Sequence, residues 1–287
     1  MVPTHRRRAT RAGMATYTPC LPRGVWGQRF AWALVTVGGA RLLPGRSATW
    51  EPPMPPDEWE DFISQLHTVV GDFDSHTVYE RRRGRQGLLM LLINGDRPVG
   101  FVKARKGDSP ELDREEEALN LAEGSQVASF VTPRVIESSN SAGWRYLLMS
   151  PMPPKMHRML NIPPPRRVLT DVQTVLAGLT KPTDVPGSWE PFHGDFAPWN
   201  LRHIGGGTPW LIDWEDAGWA PPDADRVFYI ATAAAMGVPV SDERFEDTPA
   251  VRYWWAEVNR RIAERPSDLP MRPLDYGLLE AFAPGKE

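Results

Sequence analysis

The chain has 287 residues, of which 41% are hydrophobic, enough for one large domain or two lobes with cores of their own. A net charge of −3 argues against nucleic acid as the main partner, and the single cysteine, Cys20, excludes an internal disulfide and fits a cytoplasmic setting. The thirty prolines gather at joints, 51–56, 151–154, 163–165 and 221–222, which suggests stiff connections rather than disorder.

Arg6, Arg7, Arg8 and Arg11 precede a semi-apolar run from Phe30 to Ala40. The order imitates a signal peptide, but the run comes late, follows Gln28 and Arg29, and is too short to span a membrane. Residues 1–16 are expected to be a flexible tail, and Met14 is a second candidate start. Residues 17–62 are expected to be an extension on the first lobe, with a buried strand pair around Trp32 to Val37. Asp57 to Val70 carries Trp59, Phe62, Ile63, Leu66, Val69 and Val70 at helical spacing.

A sheet is expected next. Thr77 to Arg82 reads as a strand. Leu88 to Ile93 is an apolar run, Asn94-Gly95-Asp96 is a hairpin turn signal, and Val99 to Arg105 returns. Alternation puts Val99, Phe101 and Lys103 on one face of the returning strand. A lysine on an apolar face needs an anionic partner. Ser109-Pro110 then caps a helix that runs to Gly124. Its stripe is Leu112, Leu119 and Ala122. Glu115 lies on that stripe and faces the sheet; Glu116, four residues after Leu112, is the alternative. Ser129 to Ile136 and Trp144 to Met149 read as further strands, and Ser150-Pro151-Met152-Pro153-Pro154 stiffens the chain after them.

The rest reads as mainly helical. Val168, Leu169, Val172, Val175, Leu176 and Leu179 form an amphipathic stripe. Val227, Phe228, Ile230 and Ala231 form another that ends near Gly237. Asp242 to Arg265 is expected to be the last clear helix, with Trp254 or Trp255, Val258 and Ile262 inward. Between the first two stripes lies His193-Gly194-Asp195-Phe196-Ala197-Pro198-Trp199-Asn200, a strand-like Leu201 to Ile204, a triple-glycine turn, and Trp210-Leu211-Ile212-Asp213-Trp214-Glu215. His-x-Asp-x-x-x-x-Asn is the spacing of a kinase catalytic loop, and a second Asp behind an apolar run stands where kinases keep their other metal ligand.

These residues, with Pro221-Pro222-Asp223-Ala224-Asp225, resemble the aminoglycoside phosphotransferase and choline kinase-like family over 191–236, and less closely over 87–152. The chain departs from that pattern in Ala220, where the family commonly has Gly, and in lacking a Gly-rich loop upstream. The resemblance implies an α+β, two-lobed, protein-kinase-like fold, with an antiparallel-sheet N-lobe over 63–150 and a mainly helical C-lobe over 151–287. It implies ATP or GTP with Mg²⁺ as cofactors. Lys103 would hold the α/β-phosphates with Glu115 behind it. Ser150 and Met152 would offer backbone groups to the base at the hinge. Asn200 and Asp213 would hold the metal, Asp195 would orient a hydroxyl of a small acceptor, and Asp225 would brace the loop.

Only Trp214 to Ala224 separates Asp213 from Asp225, and no Ala-Pro-Glu follows, so there is no platform for a peptide acceptor. From Asp213 onward fifteen Asp and Glu stand against eight Lys and Arg, which favours a cationic acceptor such as an aminosugar, an aminoglycoside or an amino alcohol. Neither nucleic acid nor membrane is expected as a partner, and the sequence leaves the oligomeric state open. The competing reading is a catalytically inactive, kinase-shaped nucleotide-binding protein.

Overall fold

The computed structural model describes residues 2, 6–16, 22–43, 50–79, 87–159, 166–238, 245–265, 271 and 273–283. Cys20, Arg81–Arg85, Pro163–Pro165, the expected strand end at 80–82 and the expected helix start at 242–244 lie outside them. The chain divides into two compact units. The sheet unit comprises 1–116 and 133–157, and the helical unit 117–132 and 158–287. The chain passes into the helical unit after 157 rather than at 150, and 117–132 also belong with the helical unit.

In the sheet unit, helices α1 (Arg7–Thr16), α2 (Pro22–Gly38) and α3 (Pro56–Val70) precede strands β1 (Ser75–Tyr79), β2 (Leu88–Asn94) and β3 (Arg97–Lys106). Helix α4 (Pro110–Gly124) follows, with the unit boundary inside it, and then β4 (Val135–Ser141) and β5 (Trp144–Met149). The five strands form one antiparallel sheet in the order β1-β2-β3-β5-β4. The β2–β3 turn uses Gly95 at φ 63°, as the Asn-Gly signal requires. Met90, Leu92, Val102, Ala104, Tyr146 and Leu148 make one face apolar, and α3 covers that face with Phe62 and Leu66. Val99 packs in this core too, opposite to the face expected for it. A register shift at Leu92/Ile93 breaks the alternation between Val99 and Phe101.

Two expectations fail at the N-terminal end. Residues 7–16 are not a tail: they form α1, whose Ala9, Ala12 and Ala15 are buried. Trp32 to Val37 is not a strand pair but part of α2. An apolar stretch with β-branched residues fits either state when its periodicity is weak. Here it becomes a helix that leaves Trp26, Phe30 and Val37 exposed.

The helical unit holds β6 (Arg158–Met159), α5 (Arg166–Leu176), β7 (Glu190–Phe192), β8 (Leu201–His203), β9 (Trp210–Leu211), β10 (Gly218–Ala220), α6 (Ala224–Ala235), α7 (Pro249–Ala263) and α8 (Pro273–Phe282). Its core joins α6, α7 and α8 through Val227, Phe228, Ala250, Val251, Trp254, Val258, Leu278 and Phe282. Phe228 stacks on Trp254 at 4.1 Å between ring centroids. Thr248 caps α7 by accepting from Val251 N–H at 3.3 Å, and Pro249 opens the first turn. The last long helix therefore starts at Pro249, and α8 is an element the apolar pattern did not reveal. No helix among the described residues is long and apolar enough to cross a membrane.

Candidate active site

The segment 193–216 of the helical unit is built by two devices. The first is a carboxylate that holds the loop backbone. Asp225, at the start of α6, accepts from His193 N–H at 2.7 Å and from Gly194 N–H at 3.2 Å. Burial pushes its carboxyl up to about 7, and the two N–H donors oppose that rise. Gly194 stands at φ 83°. A side chain there would meet the carbonyl oxygen of Asp216 at 2.0 Å, so only glycine admits this approach. His193 is fully buried, with its ring against Trp214 at 4.6 Å, and its Nδ1 accepts from Asp195 N–H at 3.3 Å. It braces the loop from behind.

The second device is the short β8–β9 hairpin. Leu201 pairs with Leu211 and Arg202 with Trp210. The hairpin brings the residues before β8 beside those after β9, and Ile212 N–H donates to Asn200 O at 3.1 Å. Asn200 and Asp213 are thus neighbours across the hairpin mouth. Asn200 is nearly buried. Its Nδ2 donates to Asp195 O at 2.9 Å and to Asp195 Oδ2 at 2.8 Å. The amide nitrogen is therefore committed to Asp195, which leaves the amide oxygen as the atom Asn200 can offer a cation. Asp213 lies at φ 70°, a left-handed conformation that costs a non-glycine residue energy and is common at functional sites. A carboxylate and an amide oxygen are the ligand types that a hard divalent cation such as Mg²⁺ takes.

In the sheet unit, Lys103 Nζ lies 2.6 Å from both carboxylate oxygens of Glu115. Lys103 is 7% exposed and Glu115 1%. Glu116 turns elsewhere, with Oε2 accepting from Arg145 at 2.7 Å and from the Ser138 hydroxyl. Ser109 accepts from Leu112 N–H at 3.3 Å and so starts α4 in the register that points Glu115 at β3. Ser150 N–H donates to Arg134 O, and its hydroxyl accepts from Arg134 N–H, both at 2.8 Å. Met152 is buried. Lys103, Glu115, Ser150 and Met152 thus belong to one unit, and Asp195, Asn200 and Asp213 to the other.

One cluster escaped the sequence reading. Tyr253, Glu257 and Arg261 form an i, i+4, i+8 stripe on α7. Tyr253 packs edge-on against Phe192, just before the His193–Asn200 segment. Glu257 Oε1 accepts from Arg261 Nε at 2.6 Å, and Arg261 Nη2 lies 3.8 Å from Asp216 Oδ2. Burial works against the Arg261 charge, but Asp216, Glu257 and Asp195 outweigh it and hold the guanidinium above its ordinary range. Asp216, counted above among acids that favour a cationic acceptor, is thus engaged by an internal cation. The helical spacing was readable in the sequence; its partner 45 residues upstream was not.

Residues 180–254 match the phosphotransferase enzyme family. No curated protein matches the chain in sequence. Among solved structures, a spectinomycin phosphotransferase, APH(9)-Ia, in complex with ADP and spectinomycin aligns at TM-score 0.52 and 9% identity, covering 80% of this chain and 94% of that one. A candidate fructosamine-3-kinase from Haemophilus somnus aligns at TM-score 0.51 and 11% identity, covering 78% and 97%. At such identities the likeness concerns the fold: an α+β, kinase-like architecture. The family match is confined to residues 180–254, the stretch that holds His193, Asp195, Asn200 and Asp213.

Proposed function

We propose that this chain is a kinase-like phosphotransferase that transfers the γ-phosphoryl group of ATP or GTP to a hydroxyl of a small molecule. The observation that carries the reading is the double use of Asn200. Its amide nitrogen fixes Asp195, and its backbone oxygen ties it to the strand that delivers Asp213. This bonding supports reading Asp195 as the general-base candidate and Asn200 and Asp213 as candidate metal ligands.

In the reaction the acceptor oxygen forms a bond to Pγ as the bond from Pγ to the β-bridging oxygen breaks, and the nucleoside diphosphate leaves. Asp195 accepts a hydrogen bond from the hydroxyl and takes its proton late, because a carboxylate is too weak a base to ionise an alcohol beforehand. Asn200 and Asp213 would hold Mg²⁺, which neutralises charge on the phosphates. Lys103, oriented by Glu115, would contact the α/β-phosphates, while Ser150 and Met152 would offer backbone groups to the base. Most of the rate gain in such a site comes from positioning and charge neutralisation.

The excess of acids after Asp213 puts aminosugars and amino alcohols first among acceptors to try, with neutral polyols as the control. The test incubates the protein with MgATP or MgGTP and a panel of both, and follows phosphorylated products by mass spectrometry. A phosphorylated hydroxyl compound is the expected result. Tight MgATP or MgGTP binding without a product from any acceptor would instead favour the inactive nucleotide-binding reading.

A further inference from the structure

The sheet has two faces, and only one is accounted for by α3. The other carries Lys103. Paired residues share a face, so the register defines two rows on it: Tyr79, Leu89, Lys103 and Leu147 in one, and Thr77, Leu91, Phe101 and Met149 in the next. The second row ends at Met149, one residue before Ser150. A nucleotide with its phosphates at Lys103 and its base at the backbone of Ser150 and Met152 must lay that base along the Leu91–Phe101–Met149 row.

Helix α1 is already there. Its Ala9 and Ala12 are buried against Leu91 and Ile93, with Tyr79 and Phe101 packed around them. Tyr79 OH donates to Gly13 O at 2.8 Å. A Cβ on Gly13 would lie 2.1 Å from Thr77 Oγ1, so the helix backbone rests directly on the sheet. Small residues at 9, 12 and 13 permit that approach, and for the same reason they bury little apolar area. The flanking contacts are exposed ion pairs, Arg6 with Asp74 and Arg8 with Asp96, which salt screens. The cover is therefore close-fitting, and it is also tied to α2 by Arg11 over the Trp32 ring at 4.0 Å and by Gln28 Nε2, which donates to Met14 O at 2.8 Å.

We propose that α1 is an autoinhibitory cover: docked, it fills the base-facing row beside Lys103, and nucleotide binds only when α1 leaves the sheet. This rests on the kinase reading above. Apparent nucleotide affinity is then the intrinsic affinity reduced by the fraction of molecules with α1 undocked.

A disulfide lock tests it. A Cβ on Gly13 is 3.0 Å from Thr77 Cβ, slightly nearer than the roughly 3.8 Å of a relaxed disulfide. Gly13→Cys and Thr77→Cys in a Cys20→Ser background should cross-link under mild oxidant. Calorimetry then compares MgATP and MgGTP binding by the oxidised and reduced forms, alongside Ala12→Asp, which puts a charge against Leu91. The lock should weaken binding at least tenfold, reduction should restore it, and Ala12→Asp should tighten it beyond the parent chain. Equal affinity in the oxidised and reduced forms overturns the proposal and leaves the kinase reading standing. Failure of the cross-link to form also overturns it, because α1 then does not rest on β1 in solution. If no form binds either nucleotide, including Ala12→Asp, the kinase reading itself falls.

Discussion

The two charged centres of this protein are held in opposite ways. Lys103 and Glu115 project from regular elements, a strand and a helix, and face each other because the two repeats are in phase. Asp195, Asn200 and Asp213 project from irregular backbone, with Gly194, Asp213 and Asp223 all at positive φ. There the geometry is imposed by hydrogen bonds to the chain itself: Asp225 accepts from the His193 and Gly194 N–H groups, and Asn200 donates to Asp195 and accepts from Ile212 N–H. The first centre should therefore tolerate backbone change and be sensitive to charge. The second should tolerate little backbone change and lose function before it loses fold.

The largest expected effect is on the second centre. Asp195→Asn keeps the shape of the side chain but removes the carboxylate proposed as base, so transfer should drop by roughly 10²–10⁴ in kcat. MgATP affinity and melting temperature should stay close to those of the parent chain. Steady-state kinetics with any acceptor found in the screen, together with calorimetry, measure both. Residual kcat within tenfold of the parent would take the base role away from Asp195.

The first centre is broken by charge. Lys103→Met leaves Glu115 buried without its cation and should cost about 3–5 kcal/mol in urea unfolding, and Glu115→Leu should cost a similar amount. The double variant should recover most of that loss while still binding nucleotide poorly. A double variant as unstable as the sum of the singles would mean that the pair is not coupled.

Backbone substitutions sharpen the contrast. Gly107 ends β3 at φ 73° with open space around it, so Gly107→Ala incurs only the left-handed penalty of about 1–2 kcal/mol. Gly194→Ala adds to that strain a collision with the Asp216 backbone, for at least about 3 kcal/mol and loss of transfer. Equal melting temperatures for the two variants would refute the close approach.

The same contrast explains what the sequence made readable. Regular elements announce themselves by period: Leu112 and Leu119 mark the inner stripe of α4 and narrow the sheet-facing acid to Glu115 or Glu116, and Asn94-Gly95 marks the hairpin. The irregular segment has no period, yet His193, Asp195, Asn200 and Asp213 stand out in it because their types and spacing match those of a kinase catalytic loop and its second metal ligand. What stayed hidden lacks both signals. Helix α1 packs through alanine and glycine, which carry almost no hydrophobic pattern. The Trp32 to Val37 part of α2 has a weak period and β-branched residues, which suggest strand rather than helix. The link from Asp216 to Arg261 is a tertiary contact, and no local feature announces it. Val99 shows a smaller failure, since one bulge turned it to the opposite face.

The smallest effect is a slope with pH, and it reports on the carboxylate that holds the second centre. Burial raises Asp225 to about 7 in the folded chain, against about 3.9 for an exposed Asp. Between those values the folded protein keeps a proton that the unfolded chain has released. Stability should therefore fall as pH rises from about 4 to about 7, by at most about 1.4 kcal/mol per pH unit from this group, and the contribution should level off above that window. The N–H groups of His193 and Gly194 work the other way, since they favour the ionised form. Asp225→Asn removes the titration. It should be less stable than the parent at pH 7.5, having exchanged an acceptor for an amide donor beside two N–H groups. Its unfolding free energy should also vary less steeply between pH 5 and pH 7.5. If both chains show the same slope in parallel urea titrations, Asp225 is ionised across the range and the two N–H bonds have overcome its burial. Those bonds would then be the main anchor of the loop.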